Sequence, residues 1–224
     1  RCALGLVDRA LDAFLAGFGR LGFFGRASKQ VFQPGDRVLF EGGKTFTGNI
    51  ELDALDGNVA LKPVVFSTYG LGRATINTTV TTKCGFKATN LQGVHLRNLV
   101  FKGPGNGTQK DIDGILFFTD KPSGYLSNIA LTNVEVFGFG YCGMRFYSSW
   151  SATVKAGYRG VRIDSCSVHD CRENGIVSFA YDDQTTNFYH HRDFQIRNTE
   201  VYNITGYAAG SHKGSGIVLS QIDY

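Results

Sequence analysis

The sequence predicts an all-β fold, a single right-handed parallel β-helix solenoid, and three observations carry that expectation. First, one pattern recurs four times, at residues 94–101 (VHLRNLVF), 129–136 (IALTNVEV), 161–168 (VRIDSCSV) and 194–201 (FQIRNTEV). Asn98, Asn133, Ser165 and Asn198 align at steps of 35, 32 and 33 residues, a period typical of stacked repeats. Second, each pattern is followed by a further strand-like piece opening on Gly and an apolar residue: Gly114-Ile115, Gly143-Met144, Gly175-Ile176 and Gly216-Ile217. Third, 29 Gly against four Pro suits many tight corners, and from residue 32 onward alternation of period two dominates, with no long helical pattern.

Along the chain, residues 1–31 form an atypical segment. Leu4, Val7, Leu11, Phe14, Leu15 and Phe18 fall at helical spacing, predicting an amphipathic helix over 3–18 that caps the open end of the solenoid. The β-helix occupies 32–224. Pro34-Gly35-Asp36 is a turn signal, and strands are expected at 37–40, 49–52, 59–61, 64–67 and 74–76 before the four repeats begin. Within the repeats, alternation sends three columns inward: Leu96, Leu131, Ile163 and Ile196; Phe101, Val136, Val168 and Val201; and Ile115, Met144, Ile176 and Ile217. Each buried aliphatic side chain is worth roughly 1.5–3 kcal/mol, but one repeat cannot bury its strands alone, so stacking is obligatory. The recurring Asn is expected to turn a corner, its amide bonded to the like residue of the next coil. The chain stops just after a new coil begins, from which further coils are expected beyond residue 224.

Composition narrows the function classes. The net charge of +4 is mostly carried by residues 1–30, so no basic stripe for nucleic acid appears in the body. No apolar run is long enough to span a bilayer. The five cysteines show no C-x-x-C pair and no zinc spacing. Cys166 reads as a small core residue, equivalent to Val134 and Thr199 in neighbouring repeats, while Cys142 and Cys171 are candidates for a pair.

Residues 32–43, 46–50 and 67–76 resemble the first two coils of secreted bacterial members of the pectate-lyase-like superfamily, and the four repeats resemble its parallel β-helix repeat. The likeness implies an exported, monomeric protein acting on a polysaccharide. The superfamily includes polysaccharide lyases, uronate epimerases, glycoside hydrolases and non-catalytic adhesins, so fold alone does not choose the chemistry.

The candidate surface is the outer face of the Gly-Ile strands, where Phe118, Tyr147 and Phe179 should align, with Arg145 beside them and Asp120, Tyr181, Asp182 and Asp183 just beyond. Asp111, Asp113, His169, Asp170, Arg172, Glu173, His212 and Lys213 precede these strands. A lyase or epimerase needs a base and a cation that neutralises a uronate carboxylate. His169, His212 or Tyr147 would serve as base, and Arg145 or Lys213 as cation, alone or beside Ca2+ held by Asp182 and Asp183. A hydrolase needs two carboxyls, drawn from Asp120, Glu173, Asp182 and Asp183. Lyase or epimerase chemistry is expected ahead of hydrolysis, with a non-catalytic glycan-binding or surface-structural module as the rival from another class; the leading catalytic set is Arg145, His169, Tyr147 and Glu173. Phe118, Phe179, Tyr181, Asp120, His212 and Lys213 are expected to bind substrate. The blander readings stand beside these: Asp182-Asp183 as a solvated loop, His169-Asp170 as a corner, and His190-His191 as surface.

Overall fold

The computed structural model describes residues 6–7, 31–82, 84–107, 111–181, 188–207 and 214–223. Within them the chain winds as a parallel β-solenoid, each coil giving one strand to each of three sheets. In the third coil Val94–Arg97 lies in the first sheet, Leu99–Lys102 in the second and Asp113–Thr119 in the third. The first sheet has nine strands and the other two have six each. At the edge of the first sheet Leu6 and Val7 pair antiparallel with Leu39 and Val38. The rest of the segment expected to form a capping helix lies outside the described residues.

The predicted columns exist and extend further than the four repeats. Val38, Phe66, Leu96, Leu131, Ile163 and Ile196 are successive partners in the first sheet. Phe46, Ile76, Phe101, Val136, Val168 and Val201 follow one another in the second. Ile50, Phe86, Ile115, Met144, Ile176 and Ile217 do so in the third. The middle rungs are fully buried. In the last rung Ile217 is 46% exposed, because only one neighbouring rung packs against it among the described residues.

The Asn corner behaves as expected, for a backbone reason. Asn98, Asn133, Ser165 and Asn198 all have φ between 48° and 55°, the left-handed region that Asn tolerates better than most residues. Asn133 Nδ2 donates to Asn98 Oδ1 at 2.9 Å, joining the corners of the third and fourth coils. Ser165 carries no amide, and Asn198 Nδ2 turns instead to Asp164 Oδ1 at 2.9 Å.

The Gly of each Gly-Ile pair also has a packing cause. A Cβ on Gly114, Gly143 or Gly175 would collide with Cγ1 of Val136, Val168 or Val201, respectively, the inward valine of the second sheet in the next coil. The carbonyl of the next glycine in the stack closes the gap from above, at 2.8 Å for Gly175 O over Gly143. The tight corner between the second and third sheets therefore admits no side chain.

Two local expectations are corrected. Residues 59–61 are not a strand: Val59 and Leu61 are exposed, and Lys62 N closes a turn on Val59 O ahead of the strand Val64–Tyr69. Cys142 and Cys171 do not pair, since both are free and buried, as are Cys84 and Cys166. Cys166 has the core position expected of it.

Two consequences are measurable. Gly143→Ala should destabilise the protein by about 2–3 kcal/mol, the cost of overpacking, and combining it with Val168→Ala should cost less than the sum of the single changes. Additive urea-unfolding values would contradict this account of the corner. Ser165→Asn should raise stability by about 0.5–1 kcal/mol, by placing Asn in a left-handed conformation. A thermal midpoint unchanged or lowered would show that the corner gains nothing from the amide.

Candidate functional site

On the outer face of the third sheet, alternation and parallel register bring sequence-distant side chains together. Lys87, Leu116, Arg145, Val177 and Val218 form one outward column, and Thr89, Phe118, Tyr147 and Phe179 the next. Rungs repeat at about 4.8 Å, so ring follows ring. Phe118 and Tyr147 lie 5.4 Å apart between ring centroids, and Tyr147 and Phe179 6.0 Å apart, with planes tilted by 41° and 36°. Trp150 stacks on Phe179 at 5.0 Å and meets Tyr181 edge-on at 5.3 Å. Its backbone N–H donates to Tyr147 Oη at 3.1 Å, fixing the turn against the column. Trp150 and Phe179 are about half exposed, so this aromatic bed faces solvent.

Trp150 was not among the residues singled out from the sequence, because it lies in a turn outside the repeat. Its signal was compositional: it is the one tryptophan of the chain, set among serines.

A charged group closes the other end of these strands. Arg145 Nη2 donates to Asp113 Oδ2 at 2.6 Å, and the guanidinium lies 4.7 Å from the centre of the Tyr141 ring and 5.2 Å from that of Tyr147. Asp113 is 1% exposed. Burial pushes its carboxyl up to about 6, although Arg145 pulls the other way. Burial also disfavours the charge on Arg145, but Asp113 together with Cys142 and Tyr141 outweighs it and holds the guanidinium above its usual value. Arg145 Nε is buried with no hydrogen-bond partner among the described residues. The thiols beside Asp113 are inert: burial pushes Cys84 up to about 12 and Cys142 well above its ordinary value.

Glu173 sits at the same edge, largely buried, its N–H donating to Tyr141 O at 3.0 Å. Counting rungs, Asp113 and Glu173 are two coils apart, which sets their backbones about 10 Å from one another. Asp120 is exposed beyond Phe118 and accepts from Asn90 Nδ2 at 2.7 Å, clasping a corner. Asp182, Asp183, His212 and Lys213 lie outside the described residues. Among the described residues no three His, Cys, Asp or Glu side chains gather as a metal site.

His169 is placed elsewhere. It projects from the second sheet, stacked between Phe137 at 5.1 Å and Tyr202 at 4.7 Å with planes within 4° of parallel. Its Nδ1 meets Asp170 at 2.7 Å and its Nε2 meets Glu135 at 3.2 Å, while Glu135 also holds Arg73. Both ring faces and both nitrogens are thus engaged, on a different sheet from Arg145. The expected cleft uniting Arg145 and His169 is not formed; Arg145, Tyr147, Glu173, Phe118, Phe179 and Tyr181 share the third-sheet side instead.

No protein-family model matches the chain, and no curated protein sequence does. Among solved structures, the fold is similar to that of a GH136 lacto-N-biosidase from Eubacterium ramulus, with a TM-score of 0.63 and 18% identity. The match covers 85% of this chain and 38% of the neighbour, so the chain spans well under half of that protein.

The expectation that His190 and His191 lie at the surface is overturned, since both are fully buried. A Cβ on Gly157 would collide with the His190 carbonyl, so the chain enters tight against its neighbour. His191 stacks in register on Tyr158, accepts from Tyr158 N–H at Nδ1 and faces Phe179 O with Nε2. Burial lowers its pKa from 6.5 to about 4. Between those values the unfolded chain binds a proton that the folded chain does not. His191 therefore contributes about 3 kcal/mol above pH 6.5 that is lost as pH falls toward 4. Asp113 acts in the opposite sense, because its folded carboxyl takes up a proton near pH 6, before the unfolded one does. Against this cancellation, His191→Asn should be less acid-sensitive than the parent protein. The stability difference between the two should shrink by about 3 kcal/mol from pH 7 to pH 4, and a constant difference in urea titrations would rule the His191 contribution out.

Proposed function

We propose that the outer face of the third sheet is the glycan-binding cleft of a carbohydrate-active protein, and that its chemistry is glycoside hydrolysis. The observation that carries this reading is the solvent-facing row Phe118, Tyr147, Phe179, Trp150 and Tyr181, ending beside the carboxyls of Asp113 and Glu173. Partly exposed rings, Trp150 and Phe179 the most open of them, offer surface to the C–H faces of sugars, and carboxyls receive hydroxyls or transfer protons. The fold neighbour, itself a lacto-N-biosidase, is consistent with this.

Lyase or epimerase chemistry is less well served by the described residues. Its cation, Arg145, is already neutralised by Asp113, and its base, His169, is stacked on another sheet. Of the carboxyls, Glu173 is the better candidate acid or base, since Asp113 is committed to Arg145. Export belongs to the same reading, and the four buried thiols are compatible with it because burial withholds the reactive thiolate.

The test uses a panel of oligosaccharides, scored by binding and by release of reducing ends. Trp150→Ala and Phe179→Ala should each weaken binding about ten-fold. Glu173→Gln should lower hydrolysis at least about 100-fold with binding retained. Glycan binding untouched by the aromatic changes would remove the cleft from the third sheet. Binding without hydrolysis in the parent protein would leave a glycan-binding module in place of an enzyme.

A further inference from the structure

Resting on that reading of the third-sheet face, we propose that Asp113 sets the substrate class of the cleft: by cancelling the charge of Arg145 it makes the guanidinium a donor to uncharged sugar oxygens and excludes uronates. Arg145 is aimed at the cleft from the outward column, between the aromatic bed and Glu173. One edge of its fork is spent on Asp113 through the 2.6 Å bond at Nη2. Its Nε–H is buried and unmatched, but the side chain as a whole is 21% exposed, which leaves the open side of the guanidinium to a hydroxyl or an amide carbonyl of a bound sugar.

Charge decides against a carboxylate in that position. Bringing a uronate to Arg145 places two carboxylates on one guanidinium, and the buried Asp113 has no water with which to spread its charge. In the same outward column Lys87 faces Glu51 on the adjacent rung, and Glu173 and Asp120 add two acids along the face. The site therefore holds a positively shaped fork without net positive charge, which suits a neutral polar oxygen. Arg145 is the contact and Asp113 the residue that positions and discharges it.

The experiment measures affinities of the whole chain for hexasaccharides of matched length, neutral (xylo-, cello- and galacto-) and acidic (oligogalacturonate and oligomannuronate). The parent protein should bind its best neutral hexasaccharide at least ten-fold more tightly than either uronate. Asp113→Asn should narrow that gap at least ten-fold, by gaining affinity for uronates. Arg145→Met should lose neutral affinity five- to ten-fold with no gain for uronates, and it reports independently if the Asp113 variant does not fold. A parent preference for uronates, or an Asp113→Asn protein that folds and keeps the parent ratio, overturns the inference while leaving a glycan-binding cleft intact. Failure to bind any member of either panel overturns the carbohydrate reading itself and this inference with it.

Discussion

Parallel stacking of one coil on the next at a fixed spacing is the constraint from which everything else in this molecule follows. Because strands pair in register with the rung above and below, each position along a strand must be filled compatibly with its neighbours one repeat away. That requirement produces the apolar columns inside. It also produces the corner at Asn98 and Asn133, where like side chains bond to like. The same rule acts through exclusion at Gly114, Gly143 and Gly175, whose missing side chains leave room for the valines of the adjoining sheet.

The outer face obeys the same register without the demand for burial, and the two aromatic rows show how differently that freedom is used. On the second sheet Phe137, His169 and Tyr202 lie flat on one another, so both faces of His169 are covered by the stack. On the third sheet the rings are tilted, and Trp150 extends the row from a turn. The first arrangement fastens rungs together, whereas the second leaves Phe179 and Trp150 about half exposed. Similar residue types in similar register thus pack differently on the two sheets.

This explains what was legible in the sequence. Residues 94–220 announced their fold because like-over-like packing writes itself as repetition, and the inward columns were readable down to single residues. The first two coils carry the same columns in less regular form. Ile50 and Phe86 had no visible counterpart, the strand Cys84–Thr89 passed unnoticed, and Val59 and Leu61 looked like a strand although they form an exposed turn. His190 and His191 were misplaced because polarity suggests solvent, whereas Tyr158 N–H and the carbonyls of Val154 and Phe179 give them partners inside. The site was half legible. Alternation located the aromatic column and Arg145, but not the diagonal reach of Arg145 to Asp113 on the preceding rung, since side-chain direction at a corner is not encoded in period two.

The missing corner amide at Ser165 has a mechanical meaning. Around its circumference the solenoid is continuous covalent chain, but along its axis adjoining coils are joined by hydrogen bonds, interlocked side chains and a single crossing of the backbone. Such a body is stiff in one direction and separable in the other, like a stack of rings on a thread. Where Asn133 and Asn98 clasp, the stack is riveted at its corner. At Ser165 a hydroxyl replaces the amide and Asn198 bonds to Asp164 of the fifth coil instead, so the fourth and fifth coils are held along the axis chiefly by the long pairing of residues 123–132 with 155–164.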